Sequence, residues 1–223
     1  MWQPGERLGV TSISRHGRPR LRSLEAPSDT ELAPGQRTDR LRLAVPVPTT
    51  ASFSPRLRIP VTTGTGSGPT PIAAFDAALL DSGIGNFNLI RLSSVIPPLS
   101  VVEMASGPIA PLGRWGDRLY VVYAHRGASE PGHTAWAGIG WVQNANTGAG
   151  LFVEHDADDE DTVRVDIASS LAAMAEARNV DFGPPSIVTA GVRCFDPPVA
   201  AVTVAVFGAR GWDGLAYETT QLG

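Results

Sequence analysis

Asp76 is the first residue whose surroundings suggest chemistry. Residues 70–82 read as an amphipathic helix. A step of 100° per residue from Ile72 puts Phe75, Asp76, Leu79 and Leu80 in one apolar sector. A carboxylate near the middle of that sector is costly unless it is paired or binds something. Two readings stay open. Asp76 reaches water or an arginine at the edge of the face, or it is a buried anion awaiting a cationic ligand. Arg91 is the nearest basic residue in sequence. The second feature is Ser93–Ser94, at the end of an apolar strand and just before Val95-Ile96-Pro97-Pro98. The other serine pair, Ser169–Ser170, falls inside a predicted helix. The dipeptide alone indicates no reaction; its setting is what separates the two. Gly64, Gly66 and Gly68 invite a phosphate-loop reading but lack GxxxxGK, so they read as a flexible connector. His125, His133 and His155 have no metal-ligand spacing, and His16 lies in an arginine-rich stretch. The acids Asp156, Asp158, Asp159, Glu160 and Asp161 lack the glycine and spacing of an EF-hand. They read as negative charge favouring a helix N-terminus.

The elements that must position these residues follow from punctuation and period. Leu57–Thr63 reads as a strand. Thr70 is a suitable N-cap, Pro71 fits the first helical position, and Gly83 supplies the stop. Asn86–Ser94 is a second strand, ended by Pro97-Pro98. Further strands are expected at Leu119–His125, Thr134–Val142, Gly150–His155, Ser186–Cys194 and Val199–Phe207. A second helix is expected over Asp161–Arg178, with Val163, Ile167, Leu171 and Met174 on one face. Many strands and two helices in mixed order indicate α+β layers rather than a doubly wound series. Trp136 and Trp141 fall in or beside a strand and read as core or interface residues. His155 follows Glu154, points to the opposite face of its strand and reads as a packing residue.

Composition then removes function classes. All 18 basic residues of the 223 are arginine. A chain without lysine offers no lysine Schiff base, no lysine anchor for pyridoxal phosphate and no P-loop lysine. The single Cys194 excludes an intramolecular disulfide framework and a Cys-rich zinc site. Residues 1–58 carry 10 Arg against 5 acids, whereas residues 59–223 carry 8 Arg against 17 acids. The acidic part suits a cationic small molecule better than a nucleic-acid backbone. Residues 1–50, rich in Arg, Pro, Ser and Thr, read as a disordered extension, with a basic docking arm as the alternative. Residues 51–223 read as a single domain. No apolar run reaches a membrane span, and no signal-peptide pattern opens the chain, so a cytoplasmic protein is expected.

Thr70-Pro71, Ala74-Phe75-Asp76, Ala78-Leu79-Leu80, Gly83-Ile84-Gly85-Asn86, Asn88-Leu89-Ile90-Arg91 and Ser93-Ser94-Val95-Ile96-Pro97-Pro98 occur in one order and spacing. Together they resemble the pyruvoyl-dependent arginine decarboxylases. The likeness is dense over residues 62–98 and continues more loosely to about Phe207, through Leu151-Phe152-Val153-Glu154. Residues 1–50 fall outside it. The resemblance implies an αββα sandwich with mixed or antiparallel sheets flanked by two main helices. It also implies a homotrimer or dimer of trimers with active sites between protomers, where Glu154 faces the pyruvoyl of a neighbour.

The resemblance further implies self-cleavage between Ser93 and Ser94. A strained turn aims the Ser94 hydroxyl at the Ser93 carbonyl, and the resulting ester eliminates to dehydroalanine. Hydrolysis then leaves a pyruvoyl cofactor derived from Ser94. Asn88 matches the family asparagine of processing, its amide donating to the developing oxyanion. The substrate amine condenses with the ketone as a Schiff base, and the ketone accepts the electrons released with carbon dioxide. Glu154 matches the proton donor. That role needs its pKa raised, for which the adjoining acidic run is a candidate cause. Asp76 matches the aspartate that pairs with the substrate guanidinium, which agrees with its place on an apolar face. The reading that follows is a lyase converting L-arginine to agmatine, with neither pyridoxal phosphate nor metal, and with no nucleic-acid or membrane partner. The alternatives are decarboxylation of another amino acid and a non-catalytic subunit that keeps the fold.

Overall fold

Two antiparallel or mixed sheets are built from strands that interleave in sequence. The computed structural model describes residues 6–12, 56–214 and 216–217. In chain order the elements are β1 (Glu6–Ser12), β2 (Leu57–Ser67), α1 (Pro71–Asp81), β3 (Asn88–Arg91), β4 (Val95–Ile96) and β5 (Ser100–Met104). They continue with β6 (Arg118–Ala128), β7 (Thr134–Gln143), β8 (Gly150–Ala157), α2 (Glu160–Arg178), β9 (Ser186–Arg193), β10 (Val199–Arg210) and β11 (Ala216–Tyr217). One sheet has the order β1-β9-β7-β8-β4 and is antiparallel throughout. The other has the order β3-β6-β10-β2-β5, with parallel pairs at β3–β6 and β2–β5 and with β11 added on β10.

Side-chain alternation sorts the sheets into layers. Along β10, Ala200, Val202, Val204 and Val206 pack with Ala74, Ala78 and Leu79 of α1. The intervening Ala205 joins Ile59, Val61 and Val122 against Ile139, Phe152 and Val188 of the opposite sheet. Val163, Ile167 and Leu171 of α2 close the far side on Trp136, Leu151 and Val153. The order helix, sheet, sheet, helix is the α+β sandwich expected. Buried Thr203 Oγ1 donates to the Ala137 carbonyl at 2.9 Å, so a polar bond also ties the sheets.

Both helix starts behave as their sequences indicate. Thr70 Oγ1 accepts from Ala73 N at 3.2 Å, Pro71 opens α1, and Gly83 takes φ +88° just past the C-cap Ser82. Asp159 caps α2, which begins at Glu160, one residue earlier than expected. Trp136 is buried under α2, and Trp141 packs toward Phe152 with ring centroids 6.3 Å apart.

Three expectations change. Gly64 and Gly66 lie within β2, not in a loop, and α1 packs onto them. A Cβ on Gly64 would stand 2.1 Å from the Ala78 carbonyl oxygen, and one on Gly66 2.3 Å from Ala78 N. The glycines permit a close helix–strand approach rather than flexibility. That approach also decides how α1 is rotated. The small face of Ala74 and Ala78 goes inward with Leu79, leaving Ile72 71% and Leu80 53% exposed, and Asp76 exposed between them. The expected second strand, Asn86–Ser94, is shortened to β3 (Asn88–Arg91): Leu92–Ser94 leaves its sheet, and the chain joins the other sheet as β4.

β4, β5, β11 and β1 are the strands not foreseen. β1 lies within the stretch read as an extension and pairs antiparallel with β9. Its backbone pairing supplies what two apolar residues, Leu8 and Val10, do not announce. The rest of residues 1–50 lies outside the described residues.

Gly66→Ala tests the close approach. The added methyl meets backbone on α1, so the variant is expected to lose about 1–3 kcal/mol, the usual scale for overpacking. Urea unfolding checks this; an unchanged midpoint would show that α1 is free to yield.

Candidate active site

The strand crossing fixes the position of Ser94. β3 runs parallel to β6 at one edge of its sheet, and Leu92 N still donates to the Val121 carbonyl at 2.9 Å. Two residues later the chain is attached to the other sheet. The Ser94 carbonyl accepts from Phe152 N at 2.8 Å, and Val95 stands opposite Leu151 on β8. The Ser93–Ser94 peptide therefore spans the gap between edge strands of two sheets.

Its conformation is unusual. Ser94 has φ +65°, shared among described non-glycine residues only with Leu99 and Asn179. The left-handed region costs an L-residue roughly 1–2 kcal/mol, because Cβ crowds the following carbonyl. The surroundings impose it. Beyond the turn, Leu99 N donates to the Thr147 carbonyl at 2.7 Å. Gln143 Nε2 donates to the carbonyls of Ser100 and Gly148 at 2.9 and 2.7 Å, and its Oε1 accepts from Val102 N. With both flanks pinned, the connecting residue takes the strain.

The Ser94 hydroxyl donates to the Glu154 carboxylate, at 2.9 Å from Oε1 and 2.8 Å from Oε2. Register explains the contact. Ser94 meets Phe152 through the backbone, and Glu154 lies two residues further along β8 on the face that Phe152 occupies. The resemblance places Glu154 opposite the Ser94-derived group of a neighbouring protomer. Here the contact is made within one chain, because β4 and β8 are adjacent antiparallel strands.

Arg91 completes the arrangement. Its Nη2 is 3.3 Å from Glu154 Oε1, and its guanidinium carbon lies 5.0 Å from the centroid of the Tyr123 ring. The Glu154 side chain is 16% exposed and that of Arg91 55%. In sequence, Arg91 stands out only as the basic residue nearest to Asp76. The available signal was its place three residues before Ser94, but its partner is 63 positions away in the chain.

The acidic run does not gather around Glu154. Asp159 caps α2 through Thr162, and those hydrogen bonds hold its carboxyl below the ordinary carboxylate range. Asp156 and Asp158 pair with Arg126 on β6, at 3.2 and 2.7 Å. The hydrogen bond from Arg126 to Asp158 is the largest cause of its raised pKa. Glu160 accepts from Arg164 and Thr189. Alternation and the turn into α2 send these carboxylates to other partners, so the run builds no carboxylate cluster around Glu154.

The remaining expected residues lie further off. Asn88 opens β3, and its Nδ2 donates to the Gly116 carbonyl at 2.5 Å, a carbonyl that also accepts from Trp212 Nε1 at 2.9 Å. Asp76 sits on the outward face of α1 with no ion-pair partner among the described residues. A line of rings runs from α1 toward the serine. Phe75 stacks on His125 at 4.7 Å, His125 neighbours Tyr123 at 6.4 Å, and Tyr123 underlies Arg91. His155 does face away from Glu154, with Nε2 2.9 Å from Ser170 Oγ on α2. His133 lies 3.6 Å from Glu130. Among the described residues no three His, Cys, Asp or Glu side chains group as a metal site.

Ser94, Glu154 and Arg91 are thus brought together in one chain. The arrangement offers a hydroxyl on a strained peptide, a carboxylate that accepts its hydrogen bond, and a cation on that carboxylate. The family model described as "Pyruvoyl-dependent arginine decarboxylase (PvlArgDC)" matches residues 58–209. A protein of that name from Halobacterium salinarum strain R1 is 38% identical over 143 residues, covering 63% of this chain and 87% of that protein. One from Thermococcus kodakarensis is 34% identical over 142 residues, covering 61% and 85%. Another, from Pyrococcus abyssi, is 34% identical over 143 residues.

Proposed function

We propose that this chain, which belongs to the pyruvoyl-dependent arginine decarboxylase family, cleaves itself between Ser93 and Ser94 and converts L-arginine to agmatine and carbon dioxide. The observation that carries the reading is Ser94, held at φ +65° where the chain changes sheets, with its hydroxyl on Glu154. The site residues fit a pyruvoyl group made in place. The serine lies on an imposed turn, and a carboxylate stands beside the atoms that become the group. When present, the pyruvoyl supplies a carbonyl that holds the substrate amine and accepts the electrons released with carbon dioxide. It takes the place of pyridoxal phosphate, which a lysine-free chain cannot anchor through lysine.

The chain's own residues have distinct tasks. The strained Ser94 turn is where the hydroxyl attacks the Ser93 carbonyl, and the fixed neighbours keep the fragments aligned. The Asn88 amide is the oxyanion donor of processing, and to act it exchanges its bond to the Gly116 carbonyl for one to the Ser93 oxygen. Glu154 holds the proton that replaces the departing carboxyl group. Asp76 binds the substrate guanidinium through two parallel hydrogen bonds, a geometry that favours arginine over lysine. Asp76 is exposed and flanked by the exposed Ile72 and Leu80, which supports an assembly in which a second protomer covers this face. A homotrimer or dimer of trimers, with active sites between protomers, is the assembly proposed. The catalytic domain is residues 51–223, and no metal is required. No helix among the described residues is long and apolar enough to cross a membrane; a cytoplasmic location is proposed.

Cleavage leaves the fold interlocked. β2 belongs to the first fragment yet lies between β10 and β5 of the second, and β3 lies on β6 of the second. A denaturing gel of purified protein is expected to show about 10 and 14 kDa fragments from the 23.4 kDa chain, which co-elute under native conditions. Ser94→Ala should remain a single band. Persistent intact wild-type chain in folded protein sinks the reading. Glu154→Gln should cleave but lose turnover by roughly 10²–10⁴, the usual contribution of a positioned acid; full turnover removes it as proton donor. Asp76→Ala should raise KM for arginine by about 10–100-fold, the worth of a charged hydrogen bond. An unchanged KM, or a different amine formed while arginine stays inert, assigns another substrate.

A further inference from the structure

Self-cleavage changes the charge beside Glu154. The Ser94 Oγ bonds to the Ser93 carbonyl carbon, the C–N bond breaks, and the hydroxyl proton ends on the released nitrogen. Loss of the Ser94 α-proton then breaks the Cβ–Oγ bond, and the oxygen departs with the bonding pair as part of a Ser93 carboxylate. Water hydrolyses the remaining enamine, and ammonia leaves. In sum one water is consumed, and one ammonium ion, which carries the remaining proton, and one new carboxylate are formed. One oxygen of that carboxylate is the atom that stood 2.8 and 2.9 Å from the two Glu154 oxygens. Two carboxylates at that separation, with Glu154 only 16% exposed, repel unless a cation serves both.

Arg91 is the cation in contact with this carboxylate, through Nη2 alone at 3.3 Å. Its place is fixed two residues before Ser93, next to the Leu92–Val121 backbone bond and over the Tyr123 ring. A guanidinium presents five N–H donors in a planar fork, so the donors not directed at Glu154 remain for a second carboxylate. We propose that Arg91 is a positioning residue with two successive partners. Before cleavage it holds the Glu154 carboxylate on the Ser94 hydroxyl. After cleavage it takes up the new Ser93 carboxylate, so that the first fragment's C-terminus stays clear of Glu154.

This inference rests on the self-cleavage reading, and the experiment separates the two. Wild type, Arg91→Ala and Arg91→Gln are followed by intact mass during processing and then by steady-state kinetics. Added guanidinium ion tests rescue, since a lysine at this position would bring an amine that itself condenses with a ketone. The Ala variant is expected to cleave about tenfold more slowly. Its kcat should fall about tenfold while KM for arginine stays within about twofold, because Arg91 acts through Glu154 and not on substrate. Guanidinium at millimolar levels should restore part of both rates. The Gln variant keeps much of the stem over Tyr123 and should show the same losses if Ala fails to fold. A crystal structure of cleaved wild type should place an Arg91 nitrogen within hydrogen-bond distance of the Ser93 carboxylate. Cleaving wild type with unaffected variants, absence of rescue in folded Arg91→Ala, or a Ser93 carboxylate turned away from Arg91 would each overturn the role. Wild type that never cleaves fails the earlier reading instead.

Discussion

The Ser93–Ser94 peptide is the place where the chain leaves one sheet and joins the other, and that transfer sets Ser94 against Glu154. β3 must end on β6 and β4 must begin on β8, with three residues to cover the gap. Hydrogen bonds anchor both shores: Leu92 N on Val121 and Phe152 N on Ser94. The intervening backbone has little freedom left, and a left-handed serine is the result. An unfavourable dihedral of this kind persists only where the surrounding packing outweighs it. The same register that fixes Ser94 opposite Phe152 also presents Glu154, two residues further along β8 on the same face.

A second constraint runs through the glycine track of β2. Small residues on both partners let α1 sit closer than side chains would allow, and the helix turns its alanine face inward to use that space. Large apolar residues are thereby left outside. Periodicity gave the helix correctly but assigned its buried face by side-chain size, whereas the close approach to backbone decided it. Asp76 is exposed for this reason and not through any property of its own. Its outward direction puts the carboxylate on the surface of α1 and not in the interior of the protomer.

Interleaving of the strands would let the fold tolerate a cut between Ser93 and Ser94. Residues on the two sides of that peptide share both sheets, and the inner position of β2 makes each side depend on the other's backbone hydrogen bonds. A single broken peptide at a sheet-to-sheet crossing costs no ladder bond. Elsewhere on β2 or β10 a cut would divide a central strand. The position of the serine pair is thus compatible with a chemistry that destroys a peptide bond and keeps the fold.

Much of this protein was legible in its residues. Thr70, Pro71 and Gly83 bound α1, the face of Val163, Ile167 and Leu171 marked α2, and alternation gave most of the strands, because these signals are local. The motif from Thr70 to Pro98 and the downstream Glu154 carried the family, since residue types in order are themselves sequence information. The absence of lysine excluded an anchored pyridoxal phosphate without any coordinates. Tertiary structure decided what depends on distance across the chain. It ended the expected second strand at Arg91 and carried the chain to the other sheet, turned Asp76 outward, sent the acids after Glu154 to Arg126 and to the α2 cap, and set Arg91 against Glu154. Those outcomes follow from strand register and close packing, which arise only when distant segments meet and so leave no periodic trace in sequence.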